Sequence, residues 1–293
     1  MASCWLNGAI VAAEQANISL YDHGLLYGDG VFEGIRFYQQ QAFYAEEHLD
    51  RLFDSARVIG INIPFSIAEL LQAINQAILA SGLSNGYLRL VVTRGVGTLG
   101  LDPSLCKQAN VFILADQLSV LDQVTREEGL RLMIASTRRL PTDGLDPRIK
   151  SLNYLNHAMA RMEATQAGAD EAILLNQQGK VTEGSTDNIF IVKNNVLQTP
   201  PVSDGALAGV TRALVLKLAN ELDIQSEVQS LAPFDLYTAD EIFLTGTAVE
   251  LLAVREIDGR TVTYCPGPIY CKINQAFKEH IQQQIRPVFT EVY

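Results

Sequence analysis

The sequence predicts a mixed α/β protein of two domains, and three observations carry that prediction. Strand-like runs outnumber helical ones without alternating regularly with them, which favours mixed α/β domains over one doubly wound sheet. The 293 residues exceed one typical domain, taken as roughly 150 residues. Composition also shifts over 115–128, where an apolar strand gives way to a polar stretch without period, ADQLSVLDQVTREE. The linker is placed at 118–128, between a smaller N-terminal domain at 1–117 and a larger C-terminal domain at 129–293.

The chain opens as a hairpin, with Trp5-Leu6 and Ala9-Ile10-Val11 flanking Asn7-Gly8, the dipeptide suited to a tight I′ turn. A strand over 31–38 follows the glycine-bearing segment Tyr27-Gly28-Asp29-Gly30. Leu49, Leu52, Phe53 and Ala56 recur at helical spacing and predict a helix over 46–60; a second is expected over 67–80. Runs at 87–93, 109–114 and 130–136 read as strands. The next helix is expected over 151–167, with Ser151 as N-cap and Gly168 as its left-handed stop. Strands at 171–175, 180–183, 188–192 and 196–199 make a compact β region. A helix over 211–222 and strands over 241–244 and 248–254 complete the pattern, with a turn at Asp258-Gly259.

A net charge of −11, from 22 basic and 33 acidic residues, argues against nucleic acid as partner, since phosphate contacts need a basic surface. It leaves room for a small anion held by a few N–H groups and one arginine. No run approaches the 18 or so apolar residues that span a bilayer. The opening MASCWLNGAIV lacks a basic region and its apolar run is broken, so no signal peptide is expected. Cys4, Cys106, Cys265 and Cys271 form no C-x-x-C pair, so ordinary cytoplasmic thiols are expected rather than a zinc ribbon or disulfide framework. The four histidines show no metal-ligand spacing, and no metal is expected.

Gly28-x-Gly30-x-x-Glu33 lacks the third glycine and the following helix of a dinucleotide fingerprint. Leu207-Ala-Gly-Val-Thr-Arg212 is more informative: a glycine-bearing loop opens an apolar-periodic helix, which fits either a plain capped helix or a phosphate held on its free N–H groups. Thr245-Gly246-Thr247-Ala248 is either a tight strand connection or a second anion-binding turn. Lys150, at the expected start of the 151–167 helix, would feel the positive end of that helix, which favours a neutral amine able to form an imine. Tyr154, one turn on, could approach the same space. The plainer reading of Lys150 is an exposed partner for Asp146, and of Glu183 a surface carboxylate at a strand end.

Taken together, these segments resemble the fold-type IV aminotransferases that use pyridoxal 5′-phosphate (PLP). The pieces that carry the resemblance are Tyr27-Gly-Asp-Gly-Val-Phe-Glu-Gly-Ile-Arg36, His48-Leu-Asp-Arg-Leu52, Ile149-Lys-Ser-Leu-Asn-Tyr-Leu155, Val181-Thr-Glu-Gly-Ser185, Asn188-Ile-Phe190, Leu207-Ala-Gly-Val-Thr-Arg212 and Leu244-Thr-Gly-Thr-Ala248. Their order and spacing are specific, and within the group the sequence is most similar to branched-chain amino acid aminotransferases.

The resemblance implies a two-domain fold like that of D-amino acid aminotransferase, PLP between the domains, and a homodimer whose partner loops close the site. Lys150 would hold PLP as an internal aldimine and move the proton during transamination. Glu183 would pair with the pyridine nitrogen and keep the ring an electron sink. Tyr154 would bond the 3-oxygen side, and Leu207 would pack on the ring. Arg51, the backbone of Val210 and Thr211, and Thr247 would hold the phosphate. Tyr27 and Phe32 would wall an apolar pocket near Tyr87. Arg89 would bind the distal carboxylate of glutamate or 2-oxoglutarate, and the α-carboxylate would rest on N–H groups around Thr247 and Ala248. D-amino acid transaminases and aminodeoxychorismate lyases share this fold. The former carry an Arg-x-His trap after Val92-Thr93-Arg94-Gly95, where this chain reads Val96-Gly97-Thr98.

Overall fold

The computed structural model describes residues 3–118 and 123–285. β1 (Ser3–Leu6) and β2 (Ala9–Ala12) form the expected hairpin, with Asn7 and Gly8 both at positive φ. A short helix α1 (His23–Tyr27) leads into β3 (Gly30–Tyr38) and β4 (Gln41–Ala42). Two helices come next. α2 (Ala45–Val58) buries His48, Leu49, Leu52, Ser55 and Ala56 on one face. α3 (Ile67–Ser81) is opened by a Ser66–Glu69 capping box and closed by Gly82 in the left-handed conformation. β5 (Gly86–Thr93) and β6 (Asn110–Asp116) complete a six-stranded sheet in the order β2-β1-β6-β5-β3-β4. Val31, Ile35 and Phe37 on one face of β3 pack with Leu49, Leu52, Leu70 and Ile74 of the two helices into a continuous apolar core.

The expected linker holds a helix, α4 (Gln123–Glu128); residues 119–122 lie outside the described residues. A second sheet of nine strands follows. It comprises β7 (Leu130–Arg138), β8 (Glu171–Leu175), β9 (Val181–Gly184), β10 (Asn188–Lys193), β11 (Val196–Thr199), β12 (Ser226–Val228), β13 (Glu241–Gly246), β14 (Glu250–Ile257) and β15 (Arg260–Thr261). Its helices are α5 (Leu155–Ala167), α6 (Val210–Glu221), α7 (Pro233–Tyr237) and α8 (Pro268–Gln284). α5 lies against β7 and β8 through Ala160, Ala164, Ala135 and Ala172, small residues that permit close approach. No helix among the described residues is long and apolar enough to cross a membrane.

Two expectations need correction, and one long helix was not expected. The helix read from Ser151 starts only at Leu155, with Tyr154 at its N-cap. Residues 150–152 instead run beside β3: the Phe32 N–H donates to the Lys150 carbonyl at 3.0 Å, the Leu152 N–H to Gly30 at 2.9 Å, and Val31 bridges Ser151. Lys150 therefore does not sit at a helix N-terminus, and the helix dipole does not act on its amine. The strand read from Ala248 begins at Glu250, because Thr247 to Val249 form a turn. Finally, α8 carries Ile269, Tyr270, Ile273, Phe277 and Ile281 at helical spacing, a segment to which the sequence reading assigns no element.

Candidate active site

Strand alternation builds the first wall of the site. The even residues of β3 point away from the apolar core, and they pair across β5 with Gly34 opposite Arg89 and Arg36 opposite Tyr87. Phe32, Gly34, Tyr87 and Arg89 consequently line one cavity of about 200 Å³. A Cβ on Gly34 would stand 1.8 Å from the Tyr87 hydroxyl, so any larger residue here has to displace the Tyr87 ring. The Arg89 guanidinium lies 4.4 Å above the Phe32 ring centroid and 5.7 Å from that of Tyr87. Arg36, on the same face, reaches the second sheet, donating to the Ala248 carbonyl at 3.1 Å and pairing with Glu250 at 3.3 Å.

Lys150 enters from the segment paired to β3, and its own N–H donates to Ser55 Oγ at 3.2 Å. Its Nζ donates to Tyr154 Oη at 3.3 Å and lies 4.7 Å from the Phe32 ring centroid. Both Lys150 and Tyr154 line the cavity. Asp146, the alternative partner, is taken by Arg148. The Tyr154 ring is held on two sides, edge-on to Phe32 at 4.9 Å and stacked on His157 at 4.3 Å.

A third wall is the start of α6. Gly209 is its N-cap and supplies no side chain, so the first-turn N–H groups face the cavity, lined here by Gly209, Val210 and Thr211, without a capping partner. A Cβ on Gly209 would stand 2.0 Å from Asn188 Oδ1, and Asn188 Nδ2 donates to the Leu207 carbonyl at 3.0 Å. Thr245, Gly246, Thr247 and Ala248 close the same end; Thr245 Oγ1 is buried without a hydrogen-bond partner. Arg51 arrives from α2, its Nη1 donating to the Ala208 carbonyl at 2.7 Å.

The Arg51 side chain is aimed by Glu33. Arg51 Nε and Nη2 donate to the two Glu33 oxygens at 2.7 and 2.8 Å, and His48 Nδ1 lies 2.7 Å from Glu33 Oε2. Burial alone would raise the wholly buried Glu33 carboxyl, but Arg51 and His48 outweigh it and hold it well below the usual carboxylate range.

Glu183 stands behind the Leu207 wall and is not itself among the cavity-lining residues. Its Oε2 accepts the Leu207 N–H at 2.8 Å, and its Oε1 lies 3.0 Å from Arg139 Nη2. Burial pushes this carboxyl above its ordinary value, while Arg139, the Leu207 N–H and Lys150 draw it back.

Of the residues singled out from sequence, the structure gathers Phe32, Arg51, Tyr87, Arg89, Lys150, Tyr154, Leu207, Val210, Thr211, Thr247 and Ala248 around one cavity, with Glu183 directly behind. Tyr27 does not line it; its hydroxyl accepts the Gly100 N–H at 3.1 Å and its ring meets His23 edge-on. Gly209, Thr245 and Gly246, read from sequence only as parts of candidate anion-binding turns, also line the cavity, as do Gly34, Thr186 and Asn188, to which sequence reasoning assigned no role of their own. The signal for Asn188 and Thr245 was present: each is a polar residue in an apolar strand, and the two pair directly across β10 and β13.

An amine, a buried carboxylate and an uncapped helix start around one cavity agree with what the sequence resembles. The family signature described as amino-transferase class IV matches residues 30–257, and the chain belongs to that family. A candidate branched-chain-amino-acid aminotransferase of Methanocaldococcus jannaschii is 49% identical over 276 residues, 94% of this chain and 95% of its own length. The crystal structure of the Escherichia coli branched-chain amino acid aminotransferase matches with a TM-score of 0.93 at 34% identity, covering 99% of this chain and 97% of that one. The branched-chain amino acid aminotransferase from Thermobaculum terrenum, in its PLP-form, gives 0.87 at 30% identity, covering 97% of this chain and 94% of that one.

Proposed function

We propose that the protein is a PLP-dependent aminotransferase that exchanges amino groups between the branched-chain L-amino acids Leu, Ile and Val and 2-oxoglutarate. One observation carries the reading: the Lys150 amine, the uncapped start of α6 and, behind Leu207, the Glu183 carboxylate meet at one cavity. The cofactor fits what the cavity leaves unsatisfied. Its phosphate offers acceptors to the orphaned Thr245 hydroxyl and the free N–H groups of Val210 and Thr211. Arg51 and Thr247 add charge and a further donor. When bound, PLP supplies an electron sink that stabilises negative charge at the substrate Cα.

The chain's own residues do the rest. Lys150 Nζ would hold the cofactor through its aldehyde and would serve as the base that moves the proton at the substrate Cα; Tyr154 Oη, 3.3 Å from that amine, would keep it in place and bond the cofactor's 3-oxygen side. Glu183 would pair with the pyridine nitrogen, and Leu207 would pack on the ring. Phe32 and Tyr87 present an apolar wall to a branched side chain. Arg89 stacks on aromatic rings rather than pairing with a carboxylate among the described residues, which leaves its guanidinium for the distal carboxylate of 2-oxoglutarate. The N–H groups of the Thr247–Ala248 turn receive the α-carboxylate. The two sheets correspond to domains at 1–117 and 129–293 joined by 118–128, with the cofactor between them. We place the enzyme in the cytoplasm, where its free cysteines Cys4, Cys106, Cys265 and Cys271 persist reduced.

The purified protein should be yellow, and its visible band should change on adding L-leucine. Side-by-side assays with L-leucine, D-alanine and aminodeoxychorismate separate this reading from the D-amino acid transaminase and lyase alternatives. Lys150→Ala should abolish transamination with L-leucine; full activity in that variant would sink the mechanism.

A further inference from the structure

Behind the cavity lies a buried couple that the reaction as described does not use. Arg139, 6% exposed, directs its guanidinium three ways: Nε donates to the Gly205 carbonyl at 3.1 Å, Nη1 to His157 Nε2 at 2.8 Å, and Nη2 meets Glu183 Oε1 at 3.0 Å. His157, also 6% exposed, has Nδ1 2.6 Å from the Ser185 carbonyl, and its ring lies 4.3 Å from that of Tyr154 at an interplanar angle of 12°. A guanidinium has only donors, so Nε2 must accept and Nδ1 must carry the hydrogen; the imidazole is neutral with both nitrogens engaged. Its pKa agrees, held down to about 3 by burial and then by the Arg139 charge. Such a ring cannot rotate without breaking a buried hydrogen bond at each end, and Tyr154 lies flat against it.

We propose that Arg139 and His157 are positioning residues for transamination: Arg139 keeps Glu183 a carboxylate directed at the cofactor's pyridine nitrogen and, through the fixed His157 ring, sets the Tyr154 phenol beside Lys150 Nζ. The inference rests on the roles given above to Glu183 and Tyr154. It joins the two ends of the site by consecutive contacts, from Glu183 through Arg139 and His157 to Tyr154 and Lys150. A buried carboxylate deprived of its counter-charge takes up a proton, and a protonated Glu183 no longer favours a cationic ring.

The test compares wild type with Arg139→Met, Arg139→Lys, His157→Phe, His157→Ala, Glu183→Gln and the Arg139→Met, Glu183→Gln double variant. It reads apoprotein melting temperature, PLP dissociation constant, kcat, KM for L-leucine and the pH titration of the visible band. Arg139→Met should lower kcat by roughly 10- to 100-fold, the range that outer-layer partners of a site's charged ligands carry, with KM changed less than about threefold. PLP should bind more weakly and the band's titration should shift. Adding Arg139→Met to Glu183→Gln should cost little more than Glu183→Gln alone, since both act through one group. Arg139→Lys serves if the Met variant does not fold: one ammonium cannot hold Glu183 and His157 together, so kcat should fall while the folded apoprotein persists. His157→Phe keeps the stacked ring and should retain more activity than a His157→Ala variant. Wild-type kcat, PLP affinity and band titration in folded Arg139→Lys or Arg139→Met would overturn the inference if Glu183→Gln is crippled. Unchanged cofactor binding and turnover in Glu183→Gln would instead overturn the reading beneath it.

Discussion

Glu33 lies on the face of β3 that carries Val31, Ile35 and Phe37, where only charge and hydrogen bonds can compensate its burial. Removing one partner from a buried ionic cluster typically costs about 3 kcal/mol, so Glu33→Gln should destabilise the apoprotein by roughly that much at neutral pH and loosen PLP by misdirecting Arg51. The sign of its pH dependence follows from the depressed folded-state value. Glu33 contributes fully above its ordinary value of 4.5 and loses that contribution as pH falls toward the folded value, so the stability gap between wild type and Glu33→Gln should narrow on acidification below 4.5. Urea denaturation at neutral pH and at about pH 3.5 measures it, and a gap independent of pH would contradict the assignment. This residue was half legible. The motif from Tyr27 to Arg36 flagged the segment, but nothing in it marked residue 33 as a buried carboxylate, because its partners His48 and Arg51 come from another element. The residues that line the cavity and are proposed to bear the reacting groups were legible because each sits in its own short motif; Arg139 and His157 were not, because neither stands in one.

Elements were most legible where local pattern alone decides them, as in α3 with its capping box and left-handed glycine stop. The helix read from Ser151 failed for the opposite reason. Ser-Leu-Asn before an apolar-periodic run is a good local start signal, but the segment gains backbone hydrogen bonds to β3 from a strand more than a hundred residues earlier, and local pattern cannot see that pairing. α8 had visible periodicity and a proline at its first turn. At the start of α6 the requirement is for a missing side chain. Gly209 has an ordinary φ of −69°, so alanine there strains no backbone. It would collide with Asn188 Oδ1, which supports the Leu207 loop. Gly209→Ala should therefore weaken PLP binding by roughly tenfold or more, from overpacking of about 1–3 kcal/mol at the loop. Titrating the apoprotein with PLP checks this, with the apoprotein melting curve as control. Wild-type affinity would mean that Asn188 moves aside without effect.

The site belongs to neither sheet alone. Arg36 and Tyr38 of β3 reach Glu250, Arg36 also reaches the Ala248 carbonyl, and Arg51 of α2 reaches the Ala208 carbonyl; N-terminal side chains thus hold the two turns of the second sheet's domain that line the cavity. One chain also leaves a large apolar surface beside this seam. Leu25, Leu99 and Leu101 are 61%, 71% and 79% exposed, and on α5 Leu155, Met159 and Met162 are 74%, 50% and 60% exposed. These regions adjoin: the Gly100 N–H bonds Tyr27 Oη, and the Asn153 amide bonds the Gly28 carbonyl. Patches of this kind on a folded chain mark a partner surface. We propose that a second copy covers it, and that Tyr27, which lines no part of its own chain's cavity, is carried on the loops that a dimer brings to the substrate. The native mass should then be twice the 32.1 kDa of the chain. The double substitution Leu101→Glu, Leu155→Glu should yield monomers, since two charges would be buried unpaired in an apolar contact. Those monomers should lose turnover with L-leucine more than they lose PLP, because the phosphate, amine and carboxylate partners all come from one chain. Light scattering on an eluting peak, followed by PLP content and kcat, measures all three. A wild-type monomer with full activity would refute the dimer.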